Sequence, residues 1–320
     1  MIAASVENNI APHPAPPAVL VQGVAKSYGI IRKSKALEDI SLTIQPGEIF
    51  ALIGPNGAGK TTLMGCLLAL LRPDRGQISI FGYPADHFEA RRKTAYMPER
   101  PAFESYMHAR EFLHYHYLLA RQPKAQEKQR IEEVLEHVEL TDVGKKRIAK
   151  FSRGMLQRLG LAQMMIGNPE ICFLDEPTSG MDPLGMELVR RIMLVMQKQG
   201  STIVVNSHHL DEVERICTNF AFIRNGRIEQ QASVSSVSDK VMVVRFRADS
   251  AGGEEKIRQI VSDHNGRIKE FVLHTLRVEL SSREEASQFL RAMVEAGLEV
   301  EECFFDKKAL VELFRKESAP

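Results

Sequence analysis

The stretch "GPNGAGKTT", residues 54–62, decides how the rest of the chain is read. It follows an apolar run, "EIFALI" (48–53), and opens a helical pattern. A Gly-rich loop between a strand and a helix, ending Gly-Lys-Thr, is the pattern of a phosphate-binding loop. Gly54, Gly57 and Gly59 let the backbone wrap closely and aim N–H groups inward, with Asn56 and Ala58 between them. The helix start after Gly59 adds the positive end of a dipole. Lys60 supplies a mobile cation for β and γ phosphates, and Thr61, followed by Thr62, a hydroxyl that can ligate Mg2+. The stretch therefore predicts nucleotide binding, with Lys60 acting in both binding and catalysis.

Two further stretches predict the rest of a hydrolytic site. In "ICFLDEPTSG" (171–180) an apolar strand ends in two carboxylates. Beside a phosphate loop, Asp175 suits the Mg2+ shell and Glu176 suits polarising a water. In "TIVVNSHHLDEVE" (202–214) another buried strand ends near His208. That imidazole suits a γ-phosphate or an attacking water, although a neighbour of a helix cap has the same sequence appearance.

The chain has 320 residues, enough for about two domains. It is 44% hydrophobic and 26% charged, as globular proteins are, and its formal charge of +1 offers no basic field for nucleic acid. Its longest apolar run, "CLLALL" (66–71), is far short of a membrane span. Residues 1–17 lack the pattern of a signal peptide and suggest a disordered arm. The four cysteines are far apart, and reduced core residues are the expected reading.

From 18 to about 232 short apolar runs alternate with helical patterns, which predicts an α/β domain with a mainly parallel sheet. Residues 104–167 contain no strand pattern and predict an inserted helical subdomain. Leu184, Leu188, Ile192 and Val195 predict one buried face of a helix after Pro183. The Ser-rich "QASVSSVSD" (231–239) predicts a linker, placed at 233–239. Beyond it, 240–320 reads as a small α+β domain of order strand–helix–strand–strand–helix–strand, with a last helix near 307–316. Its first strand alternates Met242, Val244 and Phe246 with a solvated set, Val243, Arg245 and Arg247.

"GPNGAGKTT", "FSRGMLQRL", "FLDEPTSGMD" and "NSHH", in this order and spacing, resemble the ATP-binding cassette (ABC) ATPases over about 18–232. The resemblance implies a P-loop cassette with an inserted helical subdomain, ATP and Mg2+ as cofactors, and a homodimer of cassettes packed head to tail. "FSRGM" stands at the family's signature L-S-G-G-Q, which implies that Ser152 and Gly154 hold the γ-phosphate across the dimer. It further implies that Tyr28 stacks on adenine, Asp182 lies in a loop crossing the interface, and His208 is a switch histidine. Glu99, in "AYMPE", stands at the usual glutamine that contacts Mg2+ and couples to the membrane subunit. "S-[KR]-G-M-x-Q-R", "Y-[LM]-P-E" and the C-terminal extension look like the exporter subfamily with separate membrane subunits. The implied protein is an ATP-hydrolysing exporter subunit, peripheral on the cytosolic face of the membrane, with the helical subdomain facing its membrane partner. Phe151, Arg153 and Met155 depart from the signature and Glu99 from the glutamine. Arg153 and Glu99 raise the alternative of a nucleotide-gated module with a dead site; a non-transport ABC ATPase is the other. His114 and His116, two apart, face different ways on a helix and predict no metal site.

Overall fold

The computed structural model describes residues 16–29, 34–238, 241–247 and 254–305. The expected arm, apart from Pro16 and Pro17, and the expected helix near 307–316 lie outside these residues.

The chain opens with β1 (Val19–Tyr28) and β2 (Ser34–Ile44), followed by β3 (Ile49–Ile53), α1 (Lys60–Leu67), β4 (Arg75–Ile80) and β5 (Tyr83–Pro84). Next come α2 (Phe88–Lys93) and β6 (Thr94–Met97), then three longer helices, α3 (Ala109–Leu119), α4 (Glu127–His137) and α5 (Arg153–Ile166). The chain continues through β7 (Ile171–Asp175), α6 (Pro183–Lys198), β8 (Thr202–Asn206), α7 (Leu210–Ile216), β9 (Asn219–Arg224), β10 (Arg227–Ser233) and α8 (Val234–Ser238). Last are β11 (Val241–Phe246), α9 (Glu254–Asp263), β12 (Arg267–Val272), β13 (Thr275–Glu279), α10 (Arg283–Glu295) and β14 (Val300–Phe305).

The central sheet has the order β10-β9-β3-β8-β7-β6. β9, β3, β8, β7 and β6 pair in parallel, and β10 closes one edge antiparallel. All five residues of β3 are fully buried. Ile49, Ala51 and Ile53 point into one core, with the helical segment and α6. Phe50 and Leu52 point into the other, with α1 and the antiparallel strands. Burial on both faces explains a continuous apolar run where a half-exposed strand would alternate.

The mainly parallel sheet expected over 18–232 is joined by a second one. β1, β2, β4 and β5 form a separate antiparallel sheet of order β2-β1-β4-β5. β1 buries Val19, Val21 and Val24, with its register interrupted between Val21 and Val24. That interruption breaks the period of two that marks a half-buried strand. Between β6 and β7 the described residues form helices and loops, with no strand beyond one isolated bridge, His108 to Arg147.

Three smaller expectations are corrected. Leu184 is 80% exposed, while Leu188 and Ile192 are buried. The chain enters α6 through Asp182, whose carboxylate accepts from Gly185 N at 2.7 Å, and Leu184 points away from the core in that first turn. Residues 234–238 are helix rather than open linker, and Val234 is buried in the cassette core. Cys66, Cys172 and Cys217 are buried free thiols, but Cys303 is exposed.

The C-terminal sheet has the order β12-β13-β11-β14, all antiparallel, with α9 and α10 supplying the crossovers. This is a ferredoxin-like split β-α-β arrangement. Ile257, Ile260, Val261, Ala286, Phe289 and Met293 pack on Met242, Val244 and Phe246. Val243, expected on a solvated face, is buried. It pairs with Arg277 on one side and Phe304 on the other, and such long side chains cover an apolar neighbour with their stems.

The C-terminal core shares no residue with the two cassette cores. A chain ending at 238 is therefore expected to unfold cooperatively and to keep nucleotide binding. A chain ending at 232 loses buried Val234 and should be about 1–3 kcal/mol less stable in urea. Equal stability of the two would show that α8 contributes nothing to the cassette.

Candidate nucleotide site

β3 ends at Ile53, and the chain turns through Gly54–Gly59 into α1. The turn is held against neighbouring backbone. A Cβ on Gly54 would lie 2.1 Å from the Ile223 carbonyl oxygen. Gly59, at φ +107°, is the residue before α1, and a Cβ there would lie 2.5 Å from the Ala36 carbonyl oxygen. Gly226 N donates to Ala58 O at 2.9 Å, so the β9–β10 turn braces the loop from outside.

A cleft of about 490 Å³ lies over this loop. It is lined by Asn56 to Thr62, Ala36, Glu99, Asp175, Glu176, Ser179, Asn206 and His208. Lys60 is 7% exposed and its Nζ donates to Gly54 O at 2.7 Å and Pro55 O at 3.1 Å. Burial pulls its ammonium below the usual lysine range, against the charges of Glu176 and Asp175. Tyr28 stands outside the lining, half exposed, with its hydroxyl 3.5 Å from Thr62 Oγ1.

The acidic wall comes from aligned strand ends. Asp175 and Asn206 are register partners at the ends of parallel β7 and β8, and Asn206 Nδ2 donates to Asp175 Oδ1 at 2.5 Å. Burial pushes the Asp175 carboxyl above its usual range; the Asn206 bond opposes this and the Glu99 charge adds to it. Glu176 sits at φ +47°, left-handed backbone uncommon outside glycine, with its N–H donating to Asn206 O at 2.9 Å. Glu176 Oε1 lies 2.7 Å from His208 Nδ1, while Oε2 is buried without a hydrogen-bond partner. A carboxylate oxygen left bare beside a phosphate loop can accept from a water or substrate proton.

Residues 37–179 match the family model described as ABC transporter. The chain is 31% identical over 312 residues to the daunorubicin resistance ATP-binding protein DrrA3 of Streptomyces coeruleorubidus, covering 93% of this chain and 94% of that one. The chain belongs to the ABC transporter family. An uncharacterised ABC transporter ATP-binding protein of Nostoc sp. is 41% identical over 208 residues, 64% of this chain and 62% of that one. The chain thus spans under two thirds of the length of that relative, whereas the DrrA3 match runs into the C-terminal unit. A solved ATP-binding subunit of an ABC transporter superposes with a TM-score of 0.63 at 31% identity, over 69% of this chain and 92% of that one.

The ABC signature region lies apart from this cleft: Ser152, Gly154 and Asp182 do not line it. Ser152 caps α5, its Oγ accepting from Met155 N at 3.3 Å, and nothing lies within 4 Å of where a Gly154 Cβ would stand. The departures from the signature have local accounts. Phe151 is buried in the core on the helical side, a place any large apolar side chain fills. The Arg153 guanidinium reaches Ser179 O at 3.4 Å and lies over Gly180, where a Cβ would meet it at 2.7 Å. Buried Gln157 donates to Pro177 O at 3.1 Å, so α5 holds the turn after Glu176 at two points. In the helical segment His114 pairs with Glu127, while His116 packs on Phe112, and burial lowers its pKa.

Ala36, Ser179 and Gln157 were not singled out by motif. Ala36 offers a backbone contact that leaves no sequence signal. Asn206 also stands outside the sequence reading; its place at the end of a buried strand is the signal that marks it.

Gly54→Ala should fold poorly or lose nucleotide, because a methyl cannot fit 2.1 Å from a carbonyl oxygen. Fluorescent-nucleotide titration and thermal unfolding read this, and an unchanged variant in both would refute the packing described.

Proposed function

We propose that the chain is the ATP-binding and ATP-hydrolysing subunit of an exporter, working as a homodimer of cassettes on the cytosolic face of a separately encoded membrane protein. The observation that carries the hydrolytic reading is the Glu176–His208 pair at 2.7 Å, with a bare carboxylate oxygen beside the phosphate loop. The loop amides of Gly57 to Lys60 and the Lys60 ammonium bind the phosphates. Tyr28, at the cleft's edge, supports the adenine.

The site fits Mg2+: Thr61, Asp175 and Glu99 present oxygen donors, and Asn206 Oδ1 is a further buried oxygen without a hydrogen-bond partner. Bound there, Mg2+ neutralises phosphate charge. Glu176 accepts a proton from the attacking water, and His208 holds the Glu176 carboxylate through Oε1 and reaches toward the γ-phosphate. Ser152 and Gly154, open and outside their own cleft, serve the nucleotide of the second copy, with Asp182 alongside.

Transport is supported by likeness to a drug-resistance ATP-binding protein along nearly the whole chain. No described helix is long and apolar enough to cross a membrane. The helical segment between β6 and β7 is the docking face for the membrane partner, with Tyr115, Leu118 and Leu119 exposed on it.

Glu176→Gln keeps the shape but cannot take a proton. It should bind ATP and hydrolyse it about 10²–10⁴ times more slowly. In Mg-ATP it should run as a dimer by light scattering. Turnover at the wild-type rate would remove Glu176 from the role of base. Lys60→Ala should lose most ATP affinity, and calorimetric binding of wild-type strength would contradict the phosphate contact.

A further inference from the structure

His209 has no place in the proposed hydrolysis, yet its ring lies 4.1 Å from that of His208, centroid to centroid, tilted by 37°. Among the described residues the His209 imidazole makes no hydrogen bond; its backbone N–H donates to Ser207 Oγ. One ligand atom each from Glu176, His208 and His209 lie within 4.8 Å of one another. No other group of three or more possible ligands is found among the described residues. Elsewhere histidines stand beside single carboxylates, His108 with Glu111, His114 with Glu127 and His137 with Glu133.

We propose that Glu176, His208 and His209 form a site for a borderline divalent cation, zinc first, whose occupation shuts down hydrolysis. Two imidazoles and one carboxylate are a donor set that zinc favours and magnesium does not. The site is thereby chemically distinct from the all-oxygen set of Thr61, Asp175 and Glu99. Tetrahedral zinc, with bonds of about 2.0–2.1 Å, holds its donors about 3.3 Å apart. The 2.7 Å Glu176–His208 pair must therefore open slightly, and the His209 ring must swing in. The movement is within side-chain reach, since His208 is 53% exposed and His209 lacks a competing bond. The bare Oε2 of Glu176 gives a second buried oxygen for the metal. Zinc takes neutral imidazole and ionised carboxylate, so each ring binds through one nitrogen and keeps a proton on the other. With its carboxylate on zinc, Glu176 can no longer accept a proton from water.

The inhibition rests on the proposed role of Glu176, whereas the binding does not, so the experiment has two arms. Cys303→Ser serves as the background, because an exposed thiol is a competing ligand for zinc. In the first arm zinc affinity of the full chain is measured without nucleotide, by competition with a chromophoric chelator. One tight site is expected, weakened at least about tenfold in His209→Asn and in Glu176→Gln, as loss of even an outer partner weakens a metal site. Equal zinc affinity in the background and in His209→Asn overturns the site. In the second arm His209→Asn should keep basal hydrolysis and resist zinc at concentrations that silence the background. A background that binds zinc through His209 yet hydrolyses ATP undiminished overturns the inhibitory role. A background inactive without zinc refutes the hydrolytic function, while the first arm still decides the metal site.

Discussion

Burial of β3 on both faces is the constraint on which the site depends. Its side chains alternate between two cores, and parallel β8 and β9 flank it. Parallel pairing carried through to β7 puts the carboxyl ends of β3, β7 and β8 at one edge. The phosphate loop, the Asp175–Glu176 pair and the Asn206–His208 turn leave the sheet there, side by side. The left-handed Glu176 costs about 1–3 kcal/mol. Each fully buried Ile, Leu or Phe of the neighbouring strands contributes about 1.5–3 kcal/mol, so the sheet offsets the strain several times over.

The phosphate loop, the strand-end acids and His208 were legible because each is a contiguous run with local chemistry. What escaped reading depends on contacts distant in sequence. The first antiparallel sheet was hidden by the irregularity around Gly23, which breaks β1's alternation. Alternation puts Val243 on a solvated face because it says nothing about what lies across the strand; Arg277 and Phe304 flank it. Leu184 matches the helical spacing of Leu188 and Ile192 but falls in a first turn that overhangs the core. Serines 233–238 suggested a linker, yet Ser233 Oγ accepts from Ser236 N at 3.1 Å and starts a helical turn.

The departures at Phe151, Arg153 and Glu99 fall into two kinds. Phe151 conserves an apolar contact. Arg153 and Glu99 add charge: the first on the turn that follows Glu176, the second in the cleft beside Asp175, where it helps keep that carboxyl's pKa high. Both are compatible with a working site. Arg153 turns away from Ser152 and Gly154 toward Ser179 and Gly180, and Glu99 retains oxygen donors.

The central claim is that two copies of the chain build each hydrolytic site, Lys60 from one and Ser152 from the other. Mixing two separately inactive variants, Lys60→Ala and Ser152→Arg, tests it most directly. Random pairing makes about half the dimers mixed, each with one intact site, so turnover should recover to about a quarter of wild type. If Ser152→Arg alone hydrolyses ATP at the wild-type rate, or the folded mixture recovers nothing, the shared site is contradicted.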